Sequence, residues 1–183
     1  MPQQNTKVVT GRVRLSYVNL FEPRASGDND KPKYSVLLLI PKTDKVTLGK
    51  IEAATKAAAQ NGMHSKFGGS IPKNLATTLH DGDEESDLEK NPEAAGMMTM
   101  SVSSATKPGV VDIHKDEIFD STAVYSGCYA RVSLNAFPYN YNGKKGVSFA
   151  LNHVQKLADG ENLSGRTNPA DDFDDLEDAE SII

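Results

Sequence analysis

Apolar and polar positions alternate along "KVVTGRVRLSYVNL": Val9, Gly11, Val13, Leu15 and Tyr17 fall on one side, Thr10, Arg12, Arg14 and Ser16 on the other. A period of two predicts a strand, here with a basic outer face. Pro23 and the polar run "ASGDNDKPK" break the pattern, and "YSVLLLI" follows as a continuous apolar strand ending at Pro41. From Asp44 the period changes: Leu48, Ile51, Ala54 and Ala58 recur at steps of three and four after a Thr43 or Asp44 cap, which predicts a helix ended by Asn61-Gly62. "GMHSKFGGSIPKN" lacks the Gly-Lys-Ser/Thr of a phosphate-binding loop and reads as a flexible connection.

Beyond it, "DGDEESDLEKNPEAAG" reads as a solvated acidic insertion. Met98, Met100 and Val102 then alternate with Thr99, Ser101 and Ser103, and "GVVDI" predicts a short further strand. "GCYARVSLNAF" places Cys128, Ala130, Val132 and Leu134 inward and Tyr129, Arg131, Ser133, Asn135 and Phe137 outward. Lys144 to Val154 completes a hairpin with it, because Asn142-Gly143 suits the positive φ angles of a type I′ turn, and Val147, Phe149 and Leu151 supply a core row. Several short strands, one inserted helix, long loops and no βαβ alternation predict a mainly β chain built as a small antiparallel barrel, with the oligonucleotide-binding (OB) fold the natural candidate. The expected division is one domain over residues 1–163 and a disordered acidic tail over 164–183.

Charge sharpens this picture. The 183 residues carry a formal net charge of −5, but Asp171 to Ile183 holds seven acids and no base, and Asp81 to Glu93 seven acids against one lysine. The rest holds 19 basic against 11 acidic residues, a body of +8 with an acidic tail, which is an arrangement suited to a polyanion. No apolar run approaches a membrane span and the start carries no secretory signal, so the expected location is the cytoplasm. The single Cys128 excludes an intramolecular disulfide, and the four scattered histidines show no metal-ligand spacing, so neither a metal nor another cofactor is expected.

Of the twelve Phe and Tyr residues, Phe137, Tyr139 and Tyr141 crowd into "NAFPYNYNGKKG" beside Lys144 and Lys145. Rings that stack on bases next to cations that meet phosphates describe binding of a single strand without sequence preference. The competing structural reading has these rings paired across strands or packed under a loop. Arg12, Arg14 and Arg131 on outward rows, with Arg24, Lys31 and Lys33 in the first long loop, extend the hairpin into a basic track. In the tail, Phe173, Leu176, Ile182 and Ile183 stand among Asp171, Asp172, Asp174 and Asp175, so the segment could imitate a strand on that track or dock in a partner's groove. The alternative is a metal-dependent nuclease or other DNA-processing enzyme using the carboxylates between Asp81 and Glu85, although these fall in a run that reads as loop.

The blocks "KVVTGRVRLSYVNLFEP", "KYSVLLLIPK" and "YSGCYARVSLNAFPYNYNGKKGVSFALNHVQKLADGE" resemble a family of bacteriophage single-stranded-DNA-binding proteins, formerly a domain of unknown function, over Lys7 to about Gly165. The resemblance implies a non-catalytic OB barrel that coats strands during phage DNA replication, recombination and repair in the infected bacterial host. It implies Tyr129, Arg131, Tyr139, Tyr141, Lys144 and Lys145 at the DNA, and a tail for regulation. Expected partners are single-stranded DNA, duplex once the tail is removed, replication or recombination proteins at the tail, and further copies of the chain on DNA, with no membrane.

Overall fold

The computed structural model describes residues 5–25, 27–28, 31–163 and 172–177. Its strands are β1 (Lys7–Val9), β2 (Val13–Arg24), β3 (Lys33–Pro41), β4 (Ala76–Thr77), β5 (Leu79–Asp81), β6 (Met97–Ser104), β7 (Gly109–Val111), β8 (Tyr129–Tyr141) and β9 (Lys144–Ala158). Helix α1 (Lys45–Asn61) lies between β3 and β4, and a short α2 (Gly82–Glu85) and a 3-10 turn (Pro92–Ala94) lie between β5 and β6.

Five strands close a ring in the order β2-β3-β6-β9-β8 and back to β2. The β2–β3, β3–β6, β8–β9 and β8–β2 steps are antiparallel, while β6 meets β9 in a parallel step at Ser103↔Ala150. That narrow step makes the ring OB-like and loosely closed. The fold follows from the alternation: Val13, Leu15, Leu38, Ile40, Met100, Val102, Ala130, Val132, Leu134 and Val147 point inward and are all but inaccessible to solvent.

The first predicted strand is two. Gly11 and its neighbours separate β1 from β2, because the Gly11 N–H donates to the Thr47 Oγ1 of α1 at 2.8 Å and a Cβ on Gly11 would stand 2.8 Å from Asp44 Oδ2. The break reverses the facing of β1, burying Val8 and Thr10 and leaving Val9 38% exposed. A second departure comes at Tyr17, whose φ of 47° and the register shift after Ser16 turn the ring outward to 60% exposure. Strand β2 also runs through Pro23, where the sequence pattern ends it; the ladder there has thinned to the single pair Arg24↔Lys33.

Helix α1 begins where Asp44 caps it: the carboxylate accepts from the Thr47 N–H at 3.1 Å and from the Thr47 hydroxyl at 2.6 Å. It buries Ile51, Ala54, Ala57, Ala58 and Ala59 and ends at Gly62, against which Pro138 of β8 packs too closely to admit a Cβ. The segment after it is not a free connection. Phe67 is buried, and the Lys66 and Phe67 carbonyls accept from Asn140 Nδ2 and Lys145 Nζ of the β8–β9 hairpin.

The acidic insertion is likewise structured. Asp81 and Asp83 both pair with Lys42, at 2.7 and 2.6 Å, while Glu85 accepts from the Asp81 N–H and pairs with His80. Lys42 holds both aspartate carboxyls below the usual range, and those two hydrogen bonds raise the lysine in turn. A run that reads as loop is ordered because tertiary contacts absorb its charge at these points.

Candidate nucleic-acid interface

Strand β8 carries the site because its burial alternates from Tyr129 to Phe137, although its register against β9 shifts after Tyr129 and after Ser133. Ala130, Val132, Leu134 and Ala136 are buried, so Tyr129, Arg131, Ser133, Asn135, Phe137, Tyr139 and Tyr141 form one outer row, about 40 Å long at the rise of a strand. Directly paired residues share a face, and β1 adds Val9 and Lys7 to the row opposite Ser133 and Asn135. On the other side β9 adds Gln155, His153, Ser148, Gly146 and Lys144.

Near the start of β8 the Arg12 guanidinium stacks 4.2 Å from the centre of the Tyr129 ring, a cation–π contact at the surface. Arg14 lies 5.7 Å from the same ring but is held by two backbone carbonyls, donating from Nε to Gly127 and from Nη2 to Glu161 at 3.1 and 2.8 Å. It therefore ties the β2 strand to the loop before β8 and to the segment after β9, and has less of its fork to offer a ligand. Arg131 is exposed, its Nε and Nη2 both donating to Gln155 Oε1 at 3.0 and 2.7 Å.

At the far end the hairpin turn has positive φ at Asn142 and Gly143, as a type I′ turn requires. Phe137 is 42% and Tyr141 74% exposed, and Lys144 stands opposite Tyr141 on the same face. The other two predicted hairpin residues behave differently. Tyr139 lies half-buried across Gly146, where a Cβ would fall 2.5 Å from its hydroxyl. Lys145 pairs with Asn140 on the opposite face and reaches the Phe67 carbonyl at 3.3 Å, so the two lysines do not form one phosphate clamp.

Arg24, Lys31 and Lys33 are exposed. Since β2 runs antiparallel to β8 from Arg14↔Tyr129, the β2–β3 tip and the β8–β9 tip project from opposite ends of the ring. The structure thus gathers Arg12, Tyr129, Arg131, Phe137, Tyr141 and Lys144 in one row and sets Arg24, Lys31 and Lys33 beyond its other end.

The sequence reading overlooks Lys7, Lys115 and Phe119, an exposed ring (80%) in the loop before β8, and places Tyr17 inward. Phe119 is legible afterwards as a lone aromatic among acids in "DEIFDS"; nothing local marks Lys115. In the tail, Phe173 and Leu176 are 75% and 52% exposed beside exposed Asp174 and Asp175, and Asp172 is also exposed. Asp171, Ile182 and Ile183 lie outside the described residues. Among the described residues no three His, Cys, Asp or Glu side chains converge on a point where they would hold a metal ion, and no helix is long and apolar enough to cross a membrane.

An OB-like ring with an outer row of rings and cations defines a class, the oligonucleotide-binding proteins. The family described as the Enterobacter phage Enc34 ssDNA-binding protein matches residues 6–183, and the chain belongs to it. Protein p50 of Acyrthosiphon pisum secondary endosymbiont phage 1 is 30% identical over 181 residues, covering 95% of this chain and 96% of that one. The structure of the bacteriophage Enc34 single-stranded-DNA-binding protein in complex with ssDNA superposes with a TM-score of 0.73 at 25% identity, over 86% of this chain and 89% of that one. The same protein alone gives a TM-score of 0.70 over 92% and 90%.

Proposed function

We propose that this chain binds single-stranded DNA without catalysis and with little dependence on sequence, coating strands during phage DNA replication, recombination and repair in the cytoplasm of the infected bacterium. The observation that carries this reading is the single outer row of β8 and its neighbours. It presents Tyr129, Phe137 and Tyr141 for stacking, with Arg12 and Lys144 beside them for phosphates and Arg131 in the same row as a further cation facing the strand. Membership of a family of ssDNA-binding proteins and likeness to a relative solved with ssDNA support it. Residues 1–163 are the binding domain; 164–183 act as an acidic tail that competes for the basic track and, through Phe173, Leu176, Ile182 and Ile183, recruits replication or recombination proteins.

In the nuclease alternative Asp81 and Asp83 would have to leave Lys42 to take up metal. Incubating the protein with a labelled oligonucleotide and Mg²⁺ separates the two readings. A retarded, intact band is expected; fragments that disappear on chelation would replace this proposal with cleavage.

A further inference from the structure

A cavity of about 190 Å³ opens in the middle of the outer row, between the Tyr129 end and the hairpin, lined by Val9, Val111, Lys115, Arg131, Ser133 and His153 among others. Its walls are built from two sides. Val9 and Val111 give it apolar surface; Val132 and Val154 also line it, but their side chains are buried in the core. The polar groups at its rim are mostly donors, and Arg131, His153 and Gln155 are each set by a hydrogen bond.

Gln155 spends its amide nitrogen on the Asp112 and Ile113 carbonyls, at 3.1 and 3.4 Å, so its oxygen is turned to hold Arg131. The guanidinium is thereby fixed in orientation while its Nη1 protons have no acceptor in that contact. His153 Nδ1 accepts from the Gly109 N–H at 3.0 Å, which leaves Nε2–H as the neutral ring's donor. Lys115 is carried on a tight turn with φ of 70°, held because the Asp112 carboxylate accepts from the His114 and Asp116 N–H groups at 2.8 and 3.0 Å. One oxygen of that carboxylate is thus spent on its own backbone, while the other acids of the turn, Asp116 and Glu117, follow Lys115 and are exposed to solvent. Ser133 adds a hydroxyl.

A phosphate would use the cations but not the valine walls. A flat ring edged with carbonyl oxygens uses both. We propose that this cavity seats one base of the bound strand and selects keto bases, thymine or guanine, over the amino bases cytosine and adenine. Thymine O4 and guanine O6 accept from such donors at the position where the cytosine N4 and adenine N6 amino groups present hydrogen to hydrogen. The thymine methyl also finds valine to lie against. The subsite rests on the single-strand reading above and adds a local preference to a track that is otherwise indifferent to sequence.

Thymidine, deoxyuridine and deoxycytidine oligomers of equal length compare bases of one size, with affinity read by fluorescence anisotropy. Thymidine oligomers are expected to bind about tenfold tighter than deoxycytidine ones, within the range of a good base-edge contact. Deoxyuridine should follow thymidine, and Arg131→Met should bring the ratio close to one; Lys115→Ala should reduce it. Equal affinities in the unaltered protein, or a ratio that survives both substitutions, would overturn the subsite while leaving single-strand binding intact. Deoxyuridine behaving like deoxycytidine would assign the preference to the methyl group and sink the carbonyl reading. A uniform loss on all oligomers in Arg131→Met, with a flatter salt dependence, would show that the cavity holds a phosphate instead. Failure of every oligomer to bind would remove the single-strand reading and the subsite with it.

Discussion

Two adjacent lysines with the same sequence signal have different work because strand parity separates them. Lys144 shares a face with Tyr141 and meets solvent, whereas Lys145 is turned to the Phe67 carbonyl. Lys144→Ala is therefore expected to lower the slope of log affinity against log salt by about 0.7, the release from one single-strand phosphate, and Lys145→Ala to leave the slope unchanged. Equal slopes in the two variants would show that the parity argument does not reach the DNA. Among the tyrosines, Tyr141→Ala should weaken binding by about 1–3 kcal/mol with the slope intact, since stacking releases few ions. Tyr139→Ala should instead register mainly as a lower thermal midpoint, because that ring covers Gly146. Both readings of the crowded aromatics, stacking platform and strand packing, were open from sequence; parity and the bareness of Gly146 divide them residue by residue.

The elements were legible wherever their period ran without interruption. Strands β3, β6 and β8, the type I′ hairpin and the capped start of α1 follow from alternation, turn residues and Asp44. Part of what escaped the pattern has a non-local cause: Gly11 splits the first strand because Thr47, far along the chain, claims its N–H. The cap offers a test at this scale. Asp44→Ala should cost about 1–2 kcal/mol in denaturant unfolding, and Asp44→Asn less, since an amide oxygen still accepts from the Thr47 N–H. The Thr47 hydroxyl and N–H hold the Asp44 carboxyl below its ordinary value. A depressed carboxylate contributes stability that is fully present above its unfolded pKa and is lost as pH falls through the lower folded value. The difference in stability between wild type and Asp44→Ala should thus be constant at neutral pH and narrow only in acid. A gap that instead narrowed between pH 6 and pH 8 would place its origin in another group.

At the scale of the whole molecule, charge is divided between a basic body and acidic segments, and the two acidic runs part company. The internal one is anchored: Lys42 gathers Asp81 and Asp83, and the Tyr17 hydroxyl donates to Asn91 Oδ1 across the sheet at 3.2 Å. The terminal run shows Phe173 and Leu176 exposed in its described part. Deleting Asp171 to Ile183 shifts the formal net charge from −5 to +2 by removing seven acids. Single strands should then bind more tightly at low salt, with a gain that shrinks as salt screens the competition, and duplex should gain as well. No gain at low salt would leave partner docking as the tail's remaining role. Replacing Phe173, Leu176, Ile182 and Ile183 by Ser while keeping every charge should spare the competition and abolish capture of replication proteins.

Sequence alone determined what depends on neighbours along the chain: the inward rows, the helix and its cap, the hairpin turn, and the clustering of rings and lysines at one tip. These are set by steric and hydrogen-bonding preferences acting over a few residues, so they are written wherever the residues stand. Tertiary structure decided what depends on closure of the ring. Antiparallel pairing sent the β2–β3 loop cations to the end opposite the hairpin, and carbonyls of distant loops claimed Arg14 and Lys145. Loop 112–117 was brought over β9 so that Gln155 could fix Arg131 beside Lys115. Each of these outcomes is a choice of partner for a polar group, and a buried or half-buried donor takes the acceptor that the folded chain places within reach.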